Sequence, residues 1–390
     1  MKLQDICKVF TDGDWIESKD QSDEGIRLVQ TGNIGKGKYL EKESRAKYVS
    51  DETFERLKCT EIFPGDILVS RLPEPVGRAC IIPNKDERMI TAVDCTICRP
   101  DEKKICKEYL CYFMQSNAYY TRLLGNVTGT TRKRISRKNL GNVELNVPPI
   151  EVQREIVNRL DRLVCVIESS QKELQLLDEL IKARFVEMFG TLHDNEKDFE
   201  VVTIEDVCSL IKDGTHQTPQ YTEDKETGYK FLSSKDVMSQ KINWTNIKYI
   251  PAELHEKLYA TIKPQKNDIL MSKNGVNYGV AAVNDTDEVF DIYVSLALLR
   301  PKEAIDPVFF RCVINNPETK RQFDSSIKGI GVPNLHLGEI KKTKIFLPPM
   351  ELQKEFVSFV NQVDKSKVIV QQALDKAQLL FDSLMQQYFG

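Results

Sequence analysis

Five cations fall within seven residues at Arg132, Lys133, Arg134, Arg137 and Lys138, interleaved with the hydroxyls of Thr128, Thr130, Thr131 and Ser136. Such a run is a local anion site. Its charges neutralise phosphates, and its hydroxyls donate to phosphate oxygens or meet base edges. The plainer reading is a solvated charge run at the start of a helix. Two further groups have residue types suited to reading base edges. Arg71 and Arg78 flank the turn Leu72-Pro73-Glu74-Pro75-Val76-Gly77, and the matching turn later in the chain holds Lys273, Asn274, Asn277 and Tyr278. Arginine matches guanine edges and asparagine matches adenine edges. His216 and Gln217 have the same standing, and ordinary turn chemistry is the alternative for all of these residues.

Catalytic motifs are weaker. The stretch Gly32-Asn33-Ile34-Gly35-Lys36-Gly37-Lys38-Tyr39 fits GxxxxGK. A phosphate loop needs a small hydroxyl next, to ligate Mg²⁺, and Tyr39 cannot supply it. The same glycines do not spell GxGxxG ahead of a helix, so a dinucleotide or S-adenosylmethionine fold has no better support. No Asn-Pro-Pro-Tyr-like tetrad occurs, because the two Pro-Pro pairs are followed by Ile150 and Met350. Cys95, Cys98, Cys106 and Cys111 suggest zinc, but leucines stand opposite the first two in an internal repeat, which marks core positions. Four histidines leave no Ser/His/Asp constellation to argue. Asp12 and Asp213 each precede a glycine and read as turn residues.

The composition is that of a folded globular protein: 390 residues, 41% hydrophobic and 29% charged. No segment is long and apolar enough to span a bilayer, and the opening MKLQDICKVF has no signal-peptide core. Ten scattered cysteines fit a reducing compartment. A cytoplasmic protein with no membrane partner is therefore expected. A net charge of -3 gives no global basic field, so any nucleic-acid contact must be local.

The elements that must position these groups come in duplicate. Pro148-Pro149-Ile150-Glu151-Val152-Gln153-Arg154-Glu155 recurs 200 residues later as Pro348-Pro349-Met350-Glu351-Leu352-Gln353-Lys354-Glu355. Asp12-Gly13 matches Asp213-Gly214, Asp66 to Arg71 matches Asp268 to Lys273, and Arg99-Pro100 matches Arg300-Pro301. A period this long is a domain duplication. The expected boundaries are a first globular domain at 1–149, a helix at 150–190, a linker at 191–200, a second domain at 201–349 and a second helix at 350–390. Strands are expected at Gly65 to Ser70, Thr91 to Cys98 and Val289 to Leu299, and helices at Lys107 to Leu124 and Pro307 to Phe323.

The last ~40 residues of each copy lack glycine and proline until the end, and they carry heptads. One seam series runs Ile156, Leu163, Ser170, Leu177, Arg184, and the other Leu160, Ile167, Leu174, Ile181, Met188. The second copy repeats this with Phe356, Val363, Val370, Ala377, Leu384 and with Val360, Lys367, Leu374, Phe381, Tyr388. Each helix is roughly 50 Å long at ~1.5 Å per residue and needs a partner, which the other copy supplies. The fold class expected is α+β: two tandem mixed α/β domains separated by two long helices in an antiparallel coiled coil. Packing of each helix on its own domain is the alternative.

Taken together, the two PPxExQxE helices, the duplicated domain openings and Asp213-Gly214-Thr215-His216 followed by Thr218-Pro219 and Phe231 to Val237 resemble the specificity subunits of type I restriction–modification systems. Gly129-Thr130-Thr131-Arg132 resembles the family's stretch leading into the helix. In copy two, Gly329 to Asn334 has lost the basic residues. The resemblance implies a non-catalytic subunit that reads an asymmetric bipartite site in double-stranded DNA. It implies two modification subunits that methylate adenine with S-adenosylmethionine, and a restriction and translocation subunit that uses ATP and Mg²⁺. No cofactor is expected on this chain. Two readers held by paired helices should fix a half-site separation near one helical turn, ~34 Å. Two other readings stay open here: a protein-interaction scaffold with a coiled-coil spacer, favoured by the low net charge, and an enzyme with a diverged active site.

Overall fold

The computed structural model describes residues 1–129, 133–327 and 333–390. The chain packs as two compact units, Met1–Lys172 with Gln371–Gly390, and Glu173–Val370. The units are not the two sequence copies, because each takes the first half of one long helix and the last half of the other.

In the first unit, short strands rich in β-branched residues form two sheets. One is antiparallel throughout and runs Cys7–Asp12, Cys95–Pro100, Ile67–Ser70, Ala79–Ile81. The other runs Tyr48–Val49, Ile26–Val29, Met89–Thr91, Glu61–Ile62, with its central pair parallel. Side chains alternate along a strand, so the first sheet feeds two cores. Ile67, Val69 and Cys98 face a cluster with Tyr109, Leu110, Phe113 and Leu140. Leu68, Cys95 and Ile97 face a cluster with Val29, Ile62 and Met89. Cys95 and Cys98 therefore point to opposite faces, and among the described residues no His/Cys/Asp/Glu group is arranged to hold a metal ion.

The second unit repeats this plan. Cys208–Asp213, Leu296–Pro301, Ile269–Ser272 and Ala281–Val283 form the antiparallel sheet, and Lys248–Ile250, Tyr229–Leu232 and Phe290–Ile292 the mixed one. It adds a two-stranded ladder of Glu200–Thr203 with Lys344–Leu347.

Four local expectations are corrected. The run Lys107 to Leu124 is two helices, Lys107–Phe113 and Asn117–Leu124, because the Ser116 side chain accepts from Tyr119 N–H and starts a new helix there. Pro307 to Phe323 likewise divides into Pro307–Ile314 and Pro317–Ser326, with Asn316 capping the second and Pro317 at its first position. The strands expected at Thr91 to Cys98 and Val289 to Leu299 each split between the two sheets. Cys95 N–H donates to Ala92 O, and Leu296 N–H to Tyr293 O, closing turns at 2.9 Å.

The long helices span Ile150–Phe189 and Met350–Phe389. The repeated glutamine of their opening motif explains why both start where they do. Gln153 is fully buried, accepts from Cys106 N–H at 2.8 Å and donates to Lys104 O and Pro148 O. Gln353 accepts from Asp306 N–H at 2.8 Å and donates to Ala304 O and Pro348 O. Each glutamine thus ties its helix start to the preceding domain.

All twenty seam positions read from the heptads are buried or half-buried. In the first unit Ile156, Val157 and Leu160 share a core with Met385 and Phe389, and Arg159 donates to the Tyr388 hydroxyl. In the second, Phe185 and Phe189 meet Phe356 and Val360, and Arg184 pairs with Glu355 at 3.1 Å. The start of each helix lies against the end of the other, which is the antiparallel coiled coil expected. The alternative, each helix on its own domain only, fails because the C-terminal part of each helix contributes to the other copy's core.

Candidate nucleic-acid interface

Three segments meet at one edge of the first unit. They are the Asp12-Gly13 turn, the loop Arg71 to Arg78 after a central strand, and the chain approaching the helix Arg137–Gly141. Ile135 N–H donates to Arg71 O, joining the second and third. Gly13 joins the first to the sheet by close approach: a β-carbon there would lie 2.3 Å from Thr91 O. Backbone contact requires the glycine, and its φ is not left-handed.

Acidic residues organise the cations. Arg71 is almost fully buried, donates to Val93 O at 2.6 Å and lies 3.4 Å from the Asp12 carboxylate. Burial pulls its pKa down and Asp12 opposes that. Arg134 pairs with Asp94 at 2.8 Å while keeping nearly half its side chain in solvent. Arg137 reaches Asp12 at 3.9 Å and the Thr11 hydroxyl at 3.4 Å. Lys133 and Lys138 are exposed. Ser136 starts the short helix by accepting from Asn139 N–H. Thr130, Thr131 and Arg132 lie outside the described residues.

Arg78 does a different job. Its guanidinium donates to Ile34 O at 2.6 Å, Thr31 O at 2.8 Å, Leu72 O at 3.1 Å and Pro75 O at 3.2 Å. It therefore clamps its own loop to the glycine-rich turn. In that turn Gly37 has φ +79°, and Lys38 pairs with Glu168 on the first long helix. The GxxxxGK-like stretch is a brace between sheet and helix.

The second unit has the same frame with different side chains. Lys273 is buried and pairs with Asp213 at 2.7 Å, the counterpart of Arg71 with Asp12. Burial pushes the Asp213 carboxyl up, but the Lys273 hydrogen bond and charge, with His216 beside it, hold it below the ordinary carboxylate value. Leu335 N–H donates to Lys273 O at 2.9 Å, as Ile135 does to Arg71 O. Tyr278 is buried, donates to Asp324 and lies under the Lys320 ammonium, 3.7 Å from its ring centre. Asn274 sits against Asn334 in an isolated bridge. Asn277, His216 and Gln217 are exposed, with His216 3.4 Å from Asp213.

The sequence-selected residues thus fall into one edge per unit. Arg71, Arg78, Lys273 and Tyr278 spend their polar groups within the fold. Lys133, Arg134, Lys138, His216, Gln217 and Asn277 present theirs outward. Sequence reasoning passed over Asp12, Asp94 and Asp213 as organisers. The signal was available, because two of the three are the repeated Asp-Gly openings.

Comparison with known proteins follows from this duplicated frame. The family model for the type I restriction modification DNA specificity domain matches residues 1–179 and again 196–378. The chain belongs to that family. Among specificity-family relatives, the EcoBI specificity subunit of Escherichia coli is 24% identical over 70% of this chain and 63% of its own length. This chain therefore matches somewhat under two thirds of that relative. A putative MjaX specificity subunit of Methanocaldococcus jannaschii is 22% identical over 93% of this chain and 86% of its own length. The fold is that of the solved S subunit from M. genitalium, with a TM-score of 0.59 at 14% identity, covering all of this chain and 95% of that one. Among the described residues no helix is long and apolar enough to cross a membrane.

Proposed function

We propose that this chain is the DNA-reading, non-catalytic subunit of a type I restriction–modification complex, and that each unit reads one part of an asymmetric bipartite site. The observation that carries the reading is the shared frame. In both units an Asp-Gly turn, a loop after a central strand and the chain before a short helix converge, held by a buried cation on the turn aspartate. Their outward side chains differ. A common scaffold with unlike faces suits two readers of unlike half-sites.

In the first unit Lys133, Arg134, Arg137 and Lys138, continuing the run from Thr130, Thr131 and Arg132, contact phosphates. Arg71 and Arg78 shape the loop that approaches the bases. In the second unit His216, Gln217, Asn274 and Asn277 supply polar contacts, positioned by Lys273 and Tyr278. The chain binds no cofactor. Two modification subunits use S-adenosylmethionine to methylate adenine, and a restriction subunit supplies ATP- and Mg²⁺-dependent translocation and cleavage. The membership in the DNA specificity family supports this set of partners.

The test is to map methylated adenines across random-sequence DNA treated with the purified chain plus modification subunits. Methylation confined to one bipartite, asymmetric sequence is expected. Methylation without sequence preference would sink the reading and leave the scaffold alternative in its place.

A further inference from the structure

The Asp-Gly turns carry one more residue each to the surface. In the first unit the turn reads Asp12-Gly13-Asp14-Trp15, and in the second Asp213-Gly214-Thr215-His216. His216 is the exposed residue described above. Its counterpart Trp15 is 70% exposed, which is a large apolar surface to leave in water.

The turn backbone is held in a defined place, and the Trp15 indole N–H makes one long, exposed contact to the Glu17 carboxylate at 3.4 Å. Asp14 N–H donates to Thr91 O at 2.9 Å, Val93 N–H donates to Asp14 O at 2.8 Å, and the Asp14 carboxylate accepts from Thr60 N–H at 2.7 Å. In the second unit Thr215 N–H donates to Ile292 O at 3.1 Å and Val294 N–H to Thr215 O at 3.0 Å. Gly214 approaches its neighbour as closely as Gly13 does, since a β-carbon there would lie 2.0 Å from Ile292 O. The segment that pins Asp14, next to Trp15 in the turn, is also the segment that holds the cations: Val93 O accepts from Arg71, and Asp94 pairs with Arg134. An exposed indole on a rigid turn thus stands beside cations that keep part of their charge in solvent.

We infer that Trp15 is a specificity-determining contact of the first reader, and that it lays its indole against base edges and sugars of duplex DNA alongside the phosphates held by the Lys133 to Lys138 run. The inference rests on the DNA-reading function proposed above. Indole is suited to this place: it presents a broad apolar face with a single N–H donor, and apolar side chains in a groove sense base methyls and step geometry. Imidazole at the matching position is smaller and can accept as well as donate. One frame position filled by two different rings makes the two half-sites differ.

The experiment uses the full chain assembled with its modification subunits. Adenine methylation is mapped on a random-sequence library for the native chain, Trp15→Ala, Trp15→Phe and Trp15→His. The expected result for Trp15→Ala is a preference relaxed by roughly tenfold at one or two positions of one half-site only, with the other half-site and the salt dependence of binding unchanged. Trp15→Phe retains part of the preference, and Trp15→His shifts it. In a Trp244→Phe chain titrated without the modification subunits, where Trp15 is the remaining tryptophan, its emission changes on adding the native site and not a duplex with that half-site scrambled.

Three results would overturn the inference: an unaltered half-site with Trp15→Ala, loss of assembly with the modification subunits, or emission indifferent to the native site. If the native assembly itself shows no sequence preference, the DNA-reading function falls and this inference falls with it. If native preference is intact and only the Trp15 variants are silent, this inference alone fails.

Discussion

The two units share a skeleton and differ in what they show to solvent. Arg99 grips Asp66 with two hydrogen bonds of 2.8 Å, and Arg300 grips Asp268 with two of the same length. Gln153 and Gln353 make matching three-way clamps. Asp12 with Arg71 and Asp213 with Lys273 repeat the buried pair. The divergence begins just outside. Asp94, which holds Arg134, is replaced by Ser295, whose hydroxyl accepts from Ser234 N–H at 3.0 Å. Lys133, Arg134, Arg137 and Lys138 face Pro333, Asn334, Leu337 and Gly338 at the equivalent positions. Groups that satisfy buried partners are constrained by the cost of leaving those partners unpaired. Groups in water carry no such constraint and are free to set specificity.

The comparison can be broken most forcefully at the clamps. Gln153→Ala strands the Cys106 N–H and two carbonyls, and Gln353→Ala strands an equivalent set. Each should cost about 3 kcal/mol, in line with several buried groups left unsatisfied. Denaturant unfolding checks this, and losses differing several-fold between the two variants would show that the clamps are not equivalent.

The buried pairs come next. Lys273→Met leaves Asp213 without its main partner, for an expected loss of about 3 kcal/mol at neutral pH, at the low end for a broken buried pair. The pH dependence has a defined sign. Since Asp213 titrates below its unfolded value of ~3.9, its contribution is complete above that value and fades as pH falls through its folded pKa. The gap between native and variant stability should therefore narrow below about pH 4. Arg71→Met removes a longer contact to Asp12, 3.4 Å against 2.7 Å, and a smaller loss of stability is expected.

A sharper contrast lies in the exposed cations. Lys133→Ala with Arg134→Ala should lower DNA affinity by about tenfold and flatten the log–log salt dependence by ~0.9 per lost phosphate contact. Asn334→Ala with His336→Ala, at equivalent or adjacent positions of the second unit, should leave the salt slope as it is. Binding titrations at several salt concentrations decide the point.

The smallest effect concerns helix starts. Ser136→Ala removes a cap and should cost about 1 kcal/mol. His336 holds the same position without a side-chain cap, so His336→Ser should gain stability on a similar scale.

Much of this was legible in the sequence. The repeat at 200 residues and the absence of glycine and proline placed both long helices, and the heptads named a seam that is shielded along its length. Periodicity works there because a narrow apolar stripe on an isolated helix has no stable state except against a partner. Shorter elements were misjudged where a cap interrupted an apolar run. Ser116 and Asn316-Pro317 carried that signal, yet apolar continuity across them suggested single helices. The base-reading candidates were judged by residue type, and type alone does not distinguish Arg78, whose donors end on four backbone carbonyls, from Arg134, which faces solvent.

By itself the sequence determined the duplication, the two helices and which residue types stand at the candidate DNA-reading positions, since these depend on local pattern and chemical identity. Only the tertiary structure decided which half of each helix joins which core, and which cations are spent on Asp12 and Asp213. Those outcomes depend on contacts between residues distant in the chain, such as Arg159 with Tyr388 and Tyr109 with Phe389, and no local pattern encodes such distances.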